Sequence, residues 1–69
     1  MAKDFKRSLT IAGHRTSLSL EPEFWEALNQ AAAGRGVPLA TLVAEIDTTR
    51  GGRNLSSAIR VWLLQRAKV

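Results

Sequence analysis

The chain has 69 residues and a net charge of +4, with an isoelectric point near 10.8. That is one domain at most, and a core built by a single copy would be marginal because small domains bury a low fraction of their unfolded surface. It has no cysteine and no tyrosine, and one histidine, His14. A disulfide framework, a thiolate metal site and a zinc centre are therefore excluded, and no cofactor or metal is expected. No glycine-rich phosphate loop occurs, and Glu45 and Asp47 read as a solvated helix face, so the chain does not read as an enzyme.

Charge is unevenly placed. Lys3, Lys6, Arg7 and Arg15 outweigh Asp4 at the start, and Glu21, Glu23, Glu26, Glu45 and Asp47 outweigh Arg35 in the middle. The last twenty residues carry five bases and no acid. Basic ends attract polyanions, nucleic acid among them. Residues 1–8 are charged and do not read as a secretion signal, and no apolar run is long enough to span a bilayer, so a cytoplasmic location is expected.

In chain order, residues 1–8 read as a flexible basic arm and residues 9–69 as the folded domain. Leu9 and Ile11 alternate on odd positions, and Gly13 follows as a bulge or break. Residues 15–20, Arg-Thr-Ser-Leu-Ser-Leu, alternate polar with apolar as a half-buried strand does. Leu18 and Leu20 then face inward, and Arg15, Ser17 and Ser19 face outward together.

A helix is expected from Pro22, with Glu23 and Glu26 in its first turn. Phe24, Leu28 and Ala31 or Ala32 form its buried stripe, with Trp25 on the flank, and Gly34-Arg35-Gly36 ends it. Pro38 opens a second helix, buried through Leu39, Leu42, Val43 and Ile46 and broken by Gly51-Gly52. A third, over residues 54–67, starts on Asn54 as N-cap and buries Leu55, Ala58, Ile59, Trp62 and Leu63.

The expected fold is mostly α with one strand, and that strand has no partner in its own chain. An open strand edge is unstable alone, so two copies should pair through a twofold axis as an antiparallel two-stranded ribbon. The expected dimer core is Leu18, Leu20, Phe24, Leu28, Leu42, Val43, Ile46, Ile59 and Trp62 of both chains. The ribbon's outer face would display Arg15, Ser17 and Ser19 twice. A two-stranded ribbon fits the major groove of DNA, where arginine bonds guanine bidentately and serine bonds several base edges.

The residues that carry this reading also carry a resemblance. Residues 15–28 are similar to the strand and first helix of the ribbon-helix-helix family of bacterial DNA-binding repressors. Gly36-Val37-Pro38-Leu39 is similar to the turn into that family's second helix. Residues 12–17, Ala-Gly-His-Arg-Thr-Ser, and 54–60, Asn-Leu-Ser-Ser-Ala-Ile-Arg, resemble a branch of it with a third, C-terminal helix.

The resemblance covers nearly the whole chain. It implies an intertwined homodimer, with further assembly on DNA an open option. It also implies double-stranded DNA as partner, a role in transcription regulation as a repressor, and base contacts from Arg15, Ser17 and Ser19. It further implies a phosphate clamp from the backbone amides of Leu39 and Ala40, helped by Arg35. Proline at position 38 departs from the small polar residue common there and removes one amide.

Lys6 and Arg7 would add phosphate contacts from the arm. His14 reads as a surface residue, and Trp25 and Trp62 as packing residues. The alternative function is a protein-interaction module, such as an antitoxin that holds a protein partner through the same dimer. The compact helical end of the chain counts against the long wrapping tail usual in antitoxins.

Overall fold

The computed structural model describes residues 5–67. The elements run β1 (Phe5–Ile11), β2 (His14–Leu20), α1 (Pro22–Arg35), α2 (Leu39–Thr48) and α3 (Leu55–Ala67). The two strands form one antiparallel sheet in register Phe5 with Leu20, Leu9 with Thr16, and Ile11 with His14.

The expectation of a single strand without an intrachain partner is thus corrected: β2 pairs with β1 of the same chain. Phe5, Lys6, Arg7 and Ser8 belong to β1, not to a flexible arm. The rest of the expected arm, Lys3 included, lies outside the described residues. Ala12 and Gly13 are the two central residues of the reversal, not a bulge, and both take positive φ, 53° and 84°. Two consecutive residues in this region make the turn whose twist suits a two-residue hairpin.

The turn also accounts for the parity of the apolar residues. In this register odd positions of β1 lie opposite even positions of β2. Directly opposed residues share a face of the sheet, so Leu9 and Ile11 lie on the same face as Leu18 and Leu20.

That face packs onto all three helices. The core is Ile11, Leu18 and Leu20 from the ribbon with Trp25, Leu28, Ala31 and Ala32 from α1, Leu42, Val43 and Ile46 from α2, and Ala58, Ile59 and Leu63 from α3. Of the residues expected to form a core shared between two chains, Leu18, Leu20, Leu28, Leu42, Val43, Ile46 and Ile59 are buried within one chain. Phe24 and Trp62 are only half-buried. Trp25, expected on the flank, is the buried aromatic of α1 at 2% exposure. Its indole Nε1–H donates to the Phe5 carbonyl over 2.8 Å, which ties the start of β1 to α1.

The helix ends follow local rules. Glu21 is the N-cap of α1 with Pro22 first in the helix, and the chain leaves α1 through Gly36 at φ 69°. The Val37 N–H donates to Ala32 O at 3.1 Å, closing the terminal carbonyls in a Schellman pattern. α2 starts one residue later than expected, with Pro38 as its N-cap and no side chain bonded to its first amides.

After α2, Arg50 staples the connecting loop: its Nε donates to Asp47 Oδ1, and its Nη1 donates to Arg53 O over 2.6 Å. Asn54 caps α3, its Oδ1 accepting from the Ser57 N–H at 2.8 Å. Asn54→Ala is expected to lower stability by about 1 kcal/mol through loss of that acceptor, with Asn54→Asp neutral within a few tenths. A urea titration with unchanged m-value checks this.

Candidate nucleic-acid interface

The face of the hairpin turned away from the helices is built from three opposed pairs: Lys6 with Ser19, Ser8 with Ser17, and Thr10 with Arg15. All six are polar, because each strand places its apolar residues on the alternate set that packs on the helices. Lys6, Ser8, Thr10, Arg15 and Ser17 are exposed, and Ser19 is half-buried. None of the six side chains makes a hydrogen bond or ion pair within the described residues. Ser19 is engaged through its backbone only, its carbonyl accepting from Ser56 Oγ at 2.9 Å, which fastens β2 to α3.

Two cations and four hydroxyls therefore stand in two rows on one face of the ribbon. Seven residues per strand make it about 23 Å long. Lys6 and Arg15 sit toward opposite ends, four residue pairs apart in register, or roughly 13 Å.

The expected base-reading residues Arg15, Ser17 and Ser19 are thus together on one face, as alternation requires. Lys6 joins them. Arg7 does not: it lies opposite Leu18 on the helix-facing side, and its guanidinium stacks 4.8 Å from the Trp25 ring centroid. Arg35 forms an ion pair with Glu45 at 2.8 Å across α1 and α2. Leu39 and Ala40 occupy the first two positions of α2, whose leading amides have no side-chain cap.

Ser8 and Thr10 were not anticipated as site residues. The signal for them was present in the odd-even offset between residues 9–11 and 18–20. A two-residue reversal satisfies that offset, and the reversal places Ser8 and Thr10 beside Ser17 and Arg15. His14 is exposed, as expected, at the first position of β2.

Among the described residues there is no group of three or more histidine, cysteine, aspartate or glutamate side chains that could hold a metal ion. No helix among them is long and apolar enough to cross a membrane.

A two-stranded ribbon with a polar, cationic outer face, carried on a helical base, defines the class of architecture. The family model of the ribbon-helix-helix domain matches residues 5–67, and the chain belongs to that family. No curated protein and no solved structure matches it. The family is one of DNA-binding regulators and antitoxins, typically without enzymatic activity, and its members generally bind DNA as dimers.

Proposed function

We propose that this protein is a sequence-specific DNA-binding transcriptional regulator, a cytoplasmic repressor that acts as a homodimer and inserts the outer face of its hairpin into the DNA major groove. The observation that carries this reading is the strip of Lys6, Ser8, Thr10, Arg15, Ser17 and Ser19, polar throughout and with no side-chain partner in its own chain. A strip of solvated serines and threonines alone would be an ordinary sheet surface. Two cations on a bare two-stranded ribbon match what a major groove about 12 Å wide admits.

Roles follow from chemistry. The Arg15 guanidinium, planar and unpaired, is the side chain able to bond guanine O6 and N7 together. Ser17 and Ser19 accept or donate to several bases and so discriminate weakly. Lys6, a point charge at the far end of the strip, suits a phosphate. The Leu39 and Ala40 amides, at the positive end of α2, suit a second one.

The test is fluorescence anisotropy with duplex DNA at several salt concentrations, after selection of bound sequences from a random pool. Affinity is expected to fall with salt. The logarithmic slope should be about −0.9 for each phosphate neutralised, and Lys6→Ala should reduce it by about one contact while lowering affinity for all sequences alike. Absence of duplex binding at low salt would overturn the reading.

A further inference from the structure

The loop between α2 and α3 borders an open groove of about 320 Å³, set between the C-terminal turn of α2 and the face of α3 that carries residues 58, 61, 62 and 65. That volume lies at the lower end of the range for small-molecule sites, about 300–1,000 Å³. Its apolar lining is Ile46 and Ala58, both buried, with Val61 and Trp62, both half-buried. Arg50, Arg53 and Gln65 line it as exposed polar residues.

Three polar side chains of this groove lack a partner. Among the described residues, the Arg53 guanidinium, the Trp62 Nε1–H and the Gln65 amide make no hydrogen bond or ion pair. The other tryptophan differs: Trp25 is buried, and its Nε1–H has the Phe5 carbonyl as acceptor. Arg50 is already engaged, donating to Asp47 and to the Arg53 carbonyl. Glu45 pairs with Arg35 and Glu21 with Arg60, and no acidic side chain follows Asp47 in the sequence. Arg53 therefore carries the one uncompensated charge of the groove lining.

We propose that this groove binds a small carboxylate that carries an aromatic ring. The planar Arg53 guanidinium matches the two oxygens of a carboxylate and gives it the countercharge that the chain does not supply. The ring covers the half-buried surface of Val61 and Trp62, where an aromatic pair adds to simple burial. The Trp62 Nε1–H and the Gln65 amide are further donors to an acceptor on the ligand. An anion without an apolar body, inorganic phosphate for instance, would leave Val61 and Trp62 in water, and an uncharged ring would leave Arg53 unpaired. None of the lining residues belongs to β1 or β2, so the site is separate from the polar strip of the ribbon and does not depend on the DNA-binding reading.

The experiment is a titration of the full chain, without DNA and at constant ionic strength, with benzoate as probe and acetate, inorganic phosphate and benzamide as comparisons, followed by nitrogen-15 NMR. Benzoate is expected to saturate with a dissociation constant of about 1 mM or tighter. It should shift the Trp62 indole N–H and leave that of Trp25 in place. The three comparison compounds should bind at least about tenfold more weakly. Arg53→Ala removes an exposed side chain without contacts of its own and should keep the wild-type circular dichroism spectrum. It should weaken benzoate by about tenfold or more, the loss of a charge-assisted hydrogen bond. Arg66→Ala, which removes the same charge away from the groove, should change binding less than about twofold. No saturation by benzoate, equal binding of acetate or phosphate, or an Arg53→Ala protein that binds benzoate as the wild type does would each overturn the proposed site.

Discussion

Trp25→Ala is expected to cost about 3–5 kcal/mol, the range for truncating a buried large aromatic. A chain of 69 residues has roughly 3–10 kcal/mol of total stability, so this one change should leave a large part of the population unfolded. Three effects combine at the residue. The indole is 2% exposed and fills the space between ribbon and helices. Its Nε1–H holds the Phe5 carbonyl at 2.8 Å. Its face carries the Arg7 guanidinium at 4.8 Å, a contact worth about 0.5–1 kcal/mol at a partly exposed site.

The second and third contacts both come from β1, so the loss should be felt first at the N-terminal strand. Hydrogen exchange should show the amides of β1 losing protection before those of α2. Trp25→Phe keeps a ring for packing and stacking and removes the Nε1–H, and should cost nearer 1–2 kcal/mol. If Trp25→Ala melted in urea within 1 kcal/mol of the wild type, the tether between β1 and α1 would not be holding the ribbon.

Arg15→Ala is expected to weaken binding to the selected DNA site by about 1–3 kcal/mol, roughly 5- to 150-fold, while changing binding to unrelated duplex much less. Arg15 lies opposite Thr10 near the turn, is exposed, and has no partner among the described residues. Both its charge and its planar fork are therefore available to a base edge. Arg15→Lys separates the two properties. It keeps the charge but not the bidentate geometry, so it should preserve affinity for unrelated DNA and still lose most of the preference. Competition with the selected site and with scrambled duplex, at one fixed salt concentration, measures both quantities. An equal loss on both kinds of DNA would reassign Arg15 to the phosphate backbone.

Much of this fold was legible from local pattern. The helices start and end close to where Pro22, Gly36, Pro38, Gly51 and Asn54 place them, because caps and breakers act on neighbouring backbone and need no tertiary context. The outward set Arg15, Ser17 and Ser19 followed from a period of two, and it stands on one face as expected.

The hairpin was not read because its turn residues are a weak signal. Ala12 sits at φ 53°, a conformation that costs an alanine about 1–2 kcal/mol, whereas asparagine or aspartate before glycine would have marked the reversal. The side of α1 taken by Trp25 was equally closed to local reading. Positions 24, 28 and 31 and positions 25, 28 and 32 both fit a helical stripe, and the Phe5 carbonyl, twenty residues away, helps select the second.

By itself the sequence determined the three helices with their approximate boundaries, the strand over residues 15–20 and its outward set Arg15, Ser17 and Ser19, since each depends on spacing within a few residues. Only the tertiary structure decided which strand pairs with β2. With the partner supplied by residues 5–11 of the same chain, the ribbon is doubled within one copy, and Lys6, Ser8 and Thr10 join the strip. One edge of β2 is thereby filled, while the outer edges of both strands stay open in the two-stranded sheet. Hydrogen-bond demand along a strand says that a partner must exist; the turn geometry and the packing beneath the ribbon settle where it comes from.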